Sequence, residues 1–404
     1  MSPAAIAMAS CFCSPLRTMK TGDDKGGKTM RKKSWWLAVV IALFALTWSQ
    51  WIVYVSGQTS EPFASLVLGD IHFDRLEHHD LDYVRQKHGE GDVRQIQNYS
   101  RLTETVLPQT FAEVKEHIQT FKPPIAFVAQ LGDFVEGLCG TPQLARRHVE
   151  DAVAFVKKAR LGVPFLITKG NHDITGPGAV EAYNQVILPF LGEQLKRTLT
   201  SASFTVWQGN ALFVFFDAYD AASLDWLERT LSEQQARHVF VLLHPPVVPI
   251  GARSLWHLYA RPEQQQQRQR LLNLLGRYRA IVLTAHLHKF GIAMRKTESG
   301  SFVQVTLNSV IPSPEVDPKQ VLQGVEHYGP ELVRLEPNFE PQTEAQRRAA
   351  LAAERPFIAY YEYADAPGYA IFVVDASSVH AHFYVGLGKR RWRSLNLTAL
   401  LQGQ

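Results

Sequence analysis

Ile281-Val282-Leu283-Thr284-Ala285-His286-Leu287-His288 is an apolar run that ends in two histidines spaced two apart. Its length and β-branched content suit a buried strand, and the polar pair falls where that strand would stop. Four other places in the 404-residue chain repeat the arrangement. Asp70 and His72 follow LVLG, Asp133 follows VAQLG, Asn171 and His172 follow FLITKG, and His244 follows VFVLL. Five strand ends meeting at one sheet edge would gather two aspartates, one asparagine and four or five histidines in a single pocket. Such a set suits two metal ions better than packing.

Outward from these runs the chain alternates. Strands are expected at 64–69, 125–131, 164–168, 239–243, 281–284 and 302–307, with helical patterns at 102–120, 143–160, 224–237 and 263–278. Gly162 is placed to cap the second helix. Gly209-Asn210 reads as a hairpin turn between 203–207 and 211–216. Nearly continuous apolar strands between helices call for an α/β fold with the sheet covered on both faces. Ligands of such folds collect beyond the strand ends. Residues 75–100 form a polar insert, and 311–350 are rich in Pro, Glu and Gln. A surface helix at 342–354 and a hairpin of 369–374 with 379–385 follow. Two strands alone are too few to stand, so the hairpin is assigned to the same domain.

A hydrophobic content of 46% is enough for a sizeable core, and a net charge of +4 does not by itself call for nucleic acid. Cys139 is the only cysteine beyond the N-terminal tail, so neither an internal disulfide nor a thiolate metal site is expected. Residues 35–55 are 21 uncharged residues, preceded by Lys28, Arg31, Lys32 and Lys33. That length spans a bilayer, and the basic flank keeps the preceding side cytoplasmic. The expected layout is a disordered cytoplasmic tail at 1–34, a transmembrane signal anchor at 35–55, a core at 60–310 and a C-terminal extension at 311–404. The catalytic domain would then be periplasmic or extracellular. Cleavage after a signal peptide near Val55-Ser56-Gly57, giving a secreted protein, is the alternative.

Phosphate-ester hydrolysis needs a strong nucleophile and neutralisation of the phosphoryl oxygens. Two metals about 3.5–4 Å apart supply both, by acidifying a bridging water to hydroxide and clamping the phosphate. A carboxylate can bridge two ions, and imidazoles or an amide oxygen complete their shells. In an extended Asp70-Ile71-His72 or His286-Leu287-His288, both ligands point to one side.

The ordered blocks Gly69-Asp70-Ile71-His72, Gly132-Asp133, Gly170-Asn171-His172-Asp173, His244 and Ala285-His286-Leu287-His288 resemble the calcineurin-like metallophosphoesterase superfamily. The likeness covers about residues 64–310 and implies a four-layer α/β/β/α sandwich with a dinuclear site. It assigns Asp70, His72 and His288 to one metal and Asn171, His244 and His286 to the other, with Asp133 bridging. It makes His172 the general acid or charge stabiliser near the leaving group, oriented by Asp173. Ala285 stands where the family usually has Gly, and Glu136 where purple acid phosphatases carry a metal-bound Tyr. Manganese, iron and zinc all suit the donor set.

The expected function is a membrane-anchored phosphomonoesterase or phosphodiesterase acting on a small phosphate ester or a lipid-linked phosphate. A nuclease would need a basic, aromatic-lined groove near the motifs, which the sequence lacks. A pyrophosphate hydrolase and a non-catalytic scaffold on the same fold also fit the motif blocks. Specificity is assigned to the inserts at 74–120 and 246–270. His78, His79, His88, His148 and His238 read as surface, helix-face or strand-start residues, and His380 with His382 as a solvent-facing decoy. Asp217 is a candidate partner to the site, and Lys389–Arg393 a solvated turn.

Overall fold

Strands that are apolar on both faces need cover on each side, and two stacked sheets between helices provide it. The computed structural model describes residues 61–310 and 316–403. The expected tail and anchor lie outside the described residues. Among those described, no helix is long and apolar enough to cross a membrane.

Strands β1 (Phe63–Leu68), β2 (Ile125–Gln130) and β3 (Phe165–Ile167) come first, then β4 (Phe204–Gln208), β5 (Ala211–Phe215), β6 (His238–Leu242) and β7 (Ile281–Thr284). β8 (Phe290–Thr297), β9 (Gly300–Thr306), β10 (Lys319–Gln323) and β11 (Ile358–Asp365) follow. β12 (Gly368–Val374), β13 (Val379–Val385) and β14 (Arg391–Asn396) complete the series. One sheet has the order β14-β13-β12-β1-β2-β3 and the other β10-β11-β8-β9-β7-β6-β5-β4. β1, β2 and β3 are parallel, as are β5, β6, β7 and β9.

Strand alternation sorts the two layers of core. Phe213 and Phe215 of β5 point into the cluster shared with β1, β2 and β12, whereas Leu212 and Val214 join the cluster on the opposite face. The outer face of the first sheet is covered by α3 (Leu107–Thr120) and α4 (Pro142–Ala159), through Phe111, Val114, Val149 and Val153. The outer face of the second is covered by Leu227 of one helix (Ser223–Ser232) and by Leu271 and Leu275 of another (Gln265–Arg277). Helix, sheet, sheet and helix thus stack as expected.

The polar insert is helical rather than irregular: α1 (Leu81–Lys87) and α2 (Glu90–Thr105) precede α3. The single pattern expected at 102–120 is therefore two helices that meet at Val106. Arg160, with φ 48°, takes the left-handed cap of α4 in place of Gly162. The C-terminal hairpin enters the middle of the first sheet, where β12 runs antiparallel to β1 from Phe63↔Val374 to Leu68↔Tyr369. In the second sheet β11 lies antiparallel to β8, between it and the edge strand β10. β8, β10, β11 and β14 escape the sequence pattern because alternation in them is broken by charged or small residues. Lys389–Arg393 is not a free turn: part of it belongs to β14, Lys389 pairs with Glu116 and Arg393 with Glu362.

The two sheets meet through aromatic rings. Phe213 stacks on Phe240 at 4.4 Å and meets Phe127 edge-on at 4.9 Å across the interface. Phe213→Ala is expected to lower unfolding free energy by about 3–5 kcal/mol, measured by urea denaturation. A loss below about 1 kcal/mol would mean that the sheet interface repacks around the gap.

Candidate metal centre

Every motif residue follows the C-terminal end of a parallel strand: Asp70 after β1, Asp133 after β2, Asn171 after β3, His244 after β6 and His286 after β7. The backbone there is not extended, contrary to the expectation for the two spaced pairs. His72, Asp133, His286 and His288 have φ of 45°, 51°, 71° and 50°, in the left-handed region that non-glycine residues avoid. Strain of this kind persists only where surrounding structure holds it. Part of the hold is visible, since the carbonyl of Asp133 accepts from the N–H groups of Ile71 and His72 at 3.2 and 3.0 Å. Gly132, at φ 90°, is required by both conformation and space, because a Cβ there would lie 2.7 Å from the His244 ring.

All seven proposed ligands converge. Asp70 Oδ2 lies 2.8 Å from His288 Nε2, and His72 Nε2 lies 3.0 Å from the same nitrogen. On the other side, His244 Nε2 is 3.0 Å from Asp133 Oδ2, 3.1 Å from Asn171 Oδ1 and 3.1 Å from His286 Nδ1. Asp133 stands between the two groups, 4.0 Å from His72 Nε2. Ligand atoms of Asp70, His72 and His288 lie within 4.8 Å of one another, as do those of Asp133, His244 and His286.

These contacts fit metal ions better than each other. Imidazole nitrogens face imidazole nitrogens at 3.0 and 3.1 Å, where either a shared proton or a cation must lie between the lone pairs. Asp70 Oδ2, His72 Nδ1 and Glu136 Oε2 are buried and make no well-aligned hydrogen bond, although His288 Nε2 lies 2.8 Å from the first and the other two lie 2.7 Å apart; poorly satisfied buried polar atoms are costly. A donor set of carboxylate, amide and imidazole with no thiolate suits manganese, iron or zinc.

The outer nitrogens of the rings are held. His244 Nδ1 donates to the carbonyl of Leu131 at 2.8 Å, which leaves Nε2 for an ion. His72 Nδ1 lies 2.7 Å from Glu136 Oε2. Glu136 is fully buried, and Gln95 of α2 donates to its other oxygen at 2.7 Å. Sequence reading singled out Glu136 only as a departure from tyrosine; its place three residues after Asp133 was the available signal. Tyr99, also from α2, stacks on the His72 ring at 4.4 Å, and nothing in the sequence marked it.

The structure changes the role of Asp173. Its carboxylate accepts the N–H groups of Phe134, Val135 and Gly170 at 2.9, 3.1 and 2.7 Å, so it ties the second and third motif loops together. The His172 ring is oriented instead by the Glu136 carbonyl, 2.6 Å from Nδ1. The His172 N–H donates to Asp133 Oδ1 at 2.8 Å. Burial pushes the His172 imidazolium down, but the Glu136 and Asp133 carboxylates outweigh it and raise the group to about 9. Asp133 is raised by burial, yet His244 and His172 hold it well below the ordinary carboxylate range.

His78, His79 and His148 are buried rather than at the surface, while His238 opens β6 as expected and is buried there. His79 Nε2 contacts Asp74 at 2.5 Å, while His148 donates from Nε2 to the Phe73 carbonyl at 2.8 Å and faces the Cys139 thiol through Nδ1 at 3.0 Å. Asp74, His79 and His148 also lie within metal-ligand reach of one another, but hydrogen bonds satisfy them, unlike the ligand atoms of the main site. Asp217 is buried and takes a hydrogen bond from Lys169, the neighbour of Gly170, without touching a ligand. His380 and His382 lie on β13, away from the centre, and His382 bonds Ser394 at 2.9 Å.

The family model described as calcineurin-like phosphoesterase matches residues 64–290. The chain belongs to the calcineurin-like phosphoesterase family. No curated protein matches the sequence. Among solved structures, a purple acid phosphatase from yellow lupin (Lupinus luteus) is 9% identical, with a TM-score of 0.48. The match covers 84% of this chain and 54% of the lupin protein, so the chain spans about half of that relative's length. A dimetal phosphatase from Danio rerio is 14% identical over 84% of this chain and 99% of its own, with a TM-score of 0.47. Vps29 with bound zinc from Entamoeba histolytica is 13% identical over 83% of this chain and 99% of its own, with a TM-score of 0.31.

Within this family site, Glu136→Gln removes the charge that faces His72. Metal affinity is expected to fall by about tenfold to a hundredfold, read as metal content after dialysis against graded chelator. Retention equal to that of the unaltered protein would show that Glu136 does not support the ligand.

Proposed function

We propose that the chain is a dinuclear metal-dependent hydrolase of phosphoric esters, with His172 delivering a proton to the leaving group. The observation that supports it most directly is the convergence of six oxygen and nitrogen ligands around buried Asp133, the seventh, with His172 beside them and no ligand lost. When bound, two metal ions would acidify a water and neutralise charge on the phosphoryl oxygens. Asp70, His72 and His288 would hold one ion and Asn171, His244 and His286 the other, with Asp133 shared.

The chain's own residues account for the proton. With Nδ1 of His172 engaged by the Glu136 carbonyl, Nε2 is the nitrogen left for substrate. The side chain is 21% exposed, so with His288 it stands at the opening of the cluster, above the buried Asp70, Asp133 and His244. In the metal-free site the Glu136 and Asp133 carboxylates outweigh burial and favour its protonated form, the form a general acid uses. Membrane anchoring and a non-cytoplasmic site belong to the same proposal, and rest on residues 35–55 and the basic residues before them. The proposed substrate is a small or lipid-linked phosphate ester.

The test is hydrolysis of p-nitrophenyl phosphate and bis-p-nitrophenyl phosphate by the full-length protein in detergent with manganese, iron or zinc. Cleavage of at least one is expected. Asp133→Asn should abolish it, and His172→Asn should lower kcat by about 10²–10⁴-fold. If neither ester is cleaved and the purified protein holds no stoichiometric metal, the hydrolase reading is wrong.

A further inference from the structure

The loop after His244 carries Arg253 and Trp256 to the edge of the metal centre, and the C-terminal segment brings Glu336 and Phe339 to meet them. Trp256 lies 5.3 Å from the His286 ring. The Arg253 guanidinium sits 5.1 Å from the centre of Trp256 and 4.9 Å from that of Phe339, held between two aromatic faces. Its Nε donates to Glu336 Oε2 at 3.1 Å. Among the described residues that is its only hydrogen bond, so both terminal nitrogens are without partners. The side chain is 25% exposed, and Arg253 lines a small cavity with Leu287, Lys289, Glu336 and Tyr363. Leu287 is the residue between the two histidines of the last motif, and Trp256 beside the His286 ring sets the Arg253 cluster at the edge of the metal centre.

Each feature bears on what the guanidinium can bind. Aromatic faces and the Nε bond immobilise it, which removes much of the entropy cost of using a flexible arginine. The terminal nitrogens form a fork that matches a carboxylate or phosphate in two-point contact. Lys289 does not compete, since Asp365 at 2.8 Å and Glu336 at 3.7 Å already engage it. The scissile phosphoryl group has its own charge partners in the ligand cluster and His172. A pre-set arginine beside them is therefore surplus to that group.

We propose that Arg253, braced by Trp256, Phe339 and Glu336, selects substrates that carry a second anionic group a few bonds from the scissile phosphate. The inference deepens the hydrolase reading and rests on it for the word substrate. It makes Arg253 a specificity residue, separate from the ligands and from His172.

The test compares two hydrolysis-inert probes of equal length on the full-length, metal-loaded protein by calorimetry: 3-phosphonopropionate, which has the second anion, and propylphosphonate, which lacks it. The unaltered protein should bind the first about tenfold more tightly or better, as a charged hydrogen bond would give. In Arg253→Gln the two affinities should become equal within about twofold, through loss on the dianionic probe alone. Arg253→Lys, which keeps charge without the fork, should fall between, and near-unchanged melting of both variants would show that they fold. Equal weakening of both probes would place Arg253 on the scissile group and overturn the proposal. So would a preference that survives Arg253→Gln, or no preference at the start. The same proteins are assayed with ethyl phosphate and 2-phosphoglycolate. Failure to cleave either would count against the hydrolase reading, while the binding comparison still decides the role of Arg253.

Discussion

A carboxylate buried among imidazoles is the constraint on which this structure is arranged. Asp133 has almost no contact with solvent, and an ion in such a place is costly unless charge and hydrogen bonds compensate it. The compensation comes from the His172 N–H, the His244 ring and the pocket as a whole. Asp70 and Glu136 are in the same position, both fully buried and each with an oxygen whose nearest partner is an imidazole nitrogen in poor hydrogen-bond alignment. Three carboxylates and five histidines in one small volume favour cations over any apolar filling. The left-handed backbone at four of these residues is a further cost. Parallel strands in two packed sheets hold the loops rigidly enough to sustain it.

Two segments outside the strand-end motifs finish the site. Helix α2 places Tyr99 against the face of His72 and Gln95 against Glu136, so the insert braces a ligand and the residue behind it. The C-terminal segment does structural work first, since β12 lies beside β1 in the first sheet and β11 beside β8 in the second. Because those strands are locked in, the stretch between β10 and β11 can deliver Glu336 and Phe339 to Arg253. The same core that fixes the proposed ligands thus fixes the residues that surround them.

The motif residues were legible because each block is contiguous. A buried strand announces itself by its apolar run, and although one polar residue past its end commonly forms a turn or a cap, five such blocks in order could be read without coordinates. The helix-sheet rhythm was legible for the same reason. Residues whose role depends on distant partners were not. His148 shows a helical position and nothing more, yet its ring is sealed between Phe73 and Cys139. Asp173 follows a histidine in sequence, but its oxygens turn to the N–H groups of other loops, and Glu136 orients His172 from a different motif. β8 and β11 carry charged residues that break alternation, because Arg295 and Glu362 find ion-pair partners inside the fold.

By itself, then, the sequence determined the ligand types, their order and the α/β class, since these follow from local spacing and from the need to bury apolar strands. Only the tertiary structure decided which nitrogen of His72, His244 and His172 is left for chemistry, which carboxylate supports which ring, and where Arg253 is held. Those are settled by contacts between residues far apart in the chain, and hydrogen-bond geometry exists only once the sheets have brought them together.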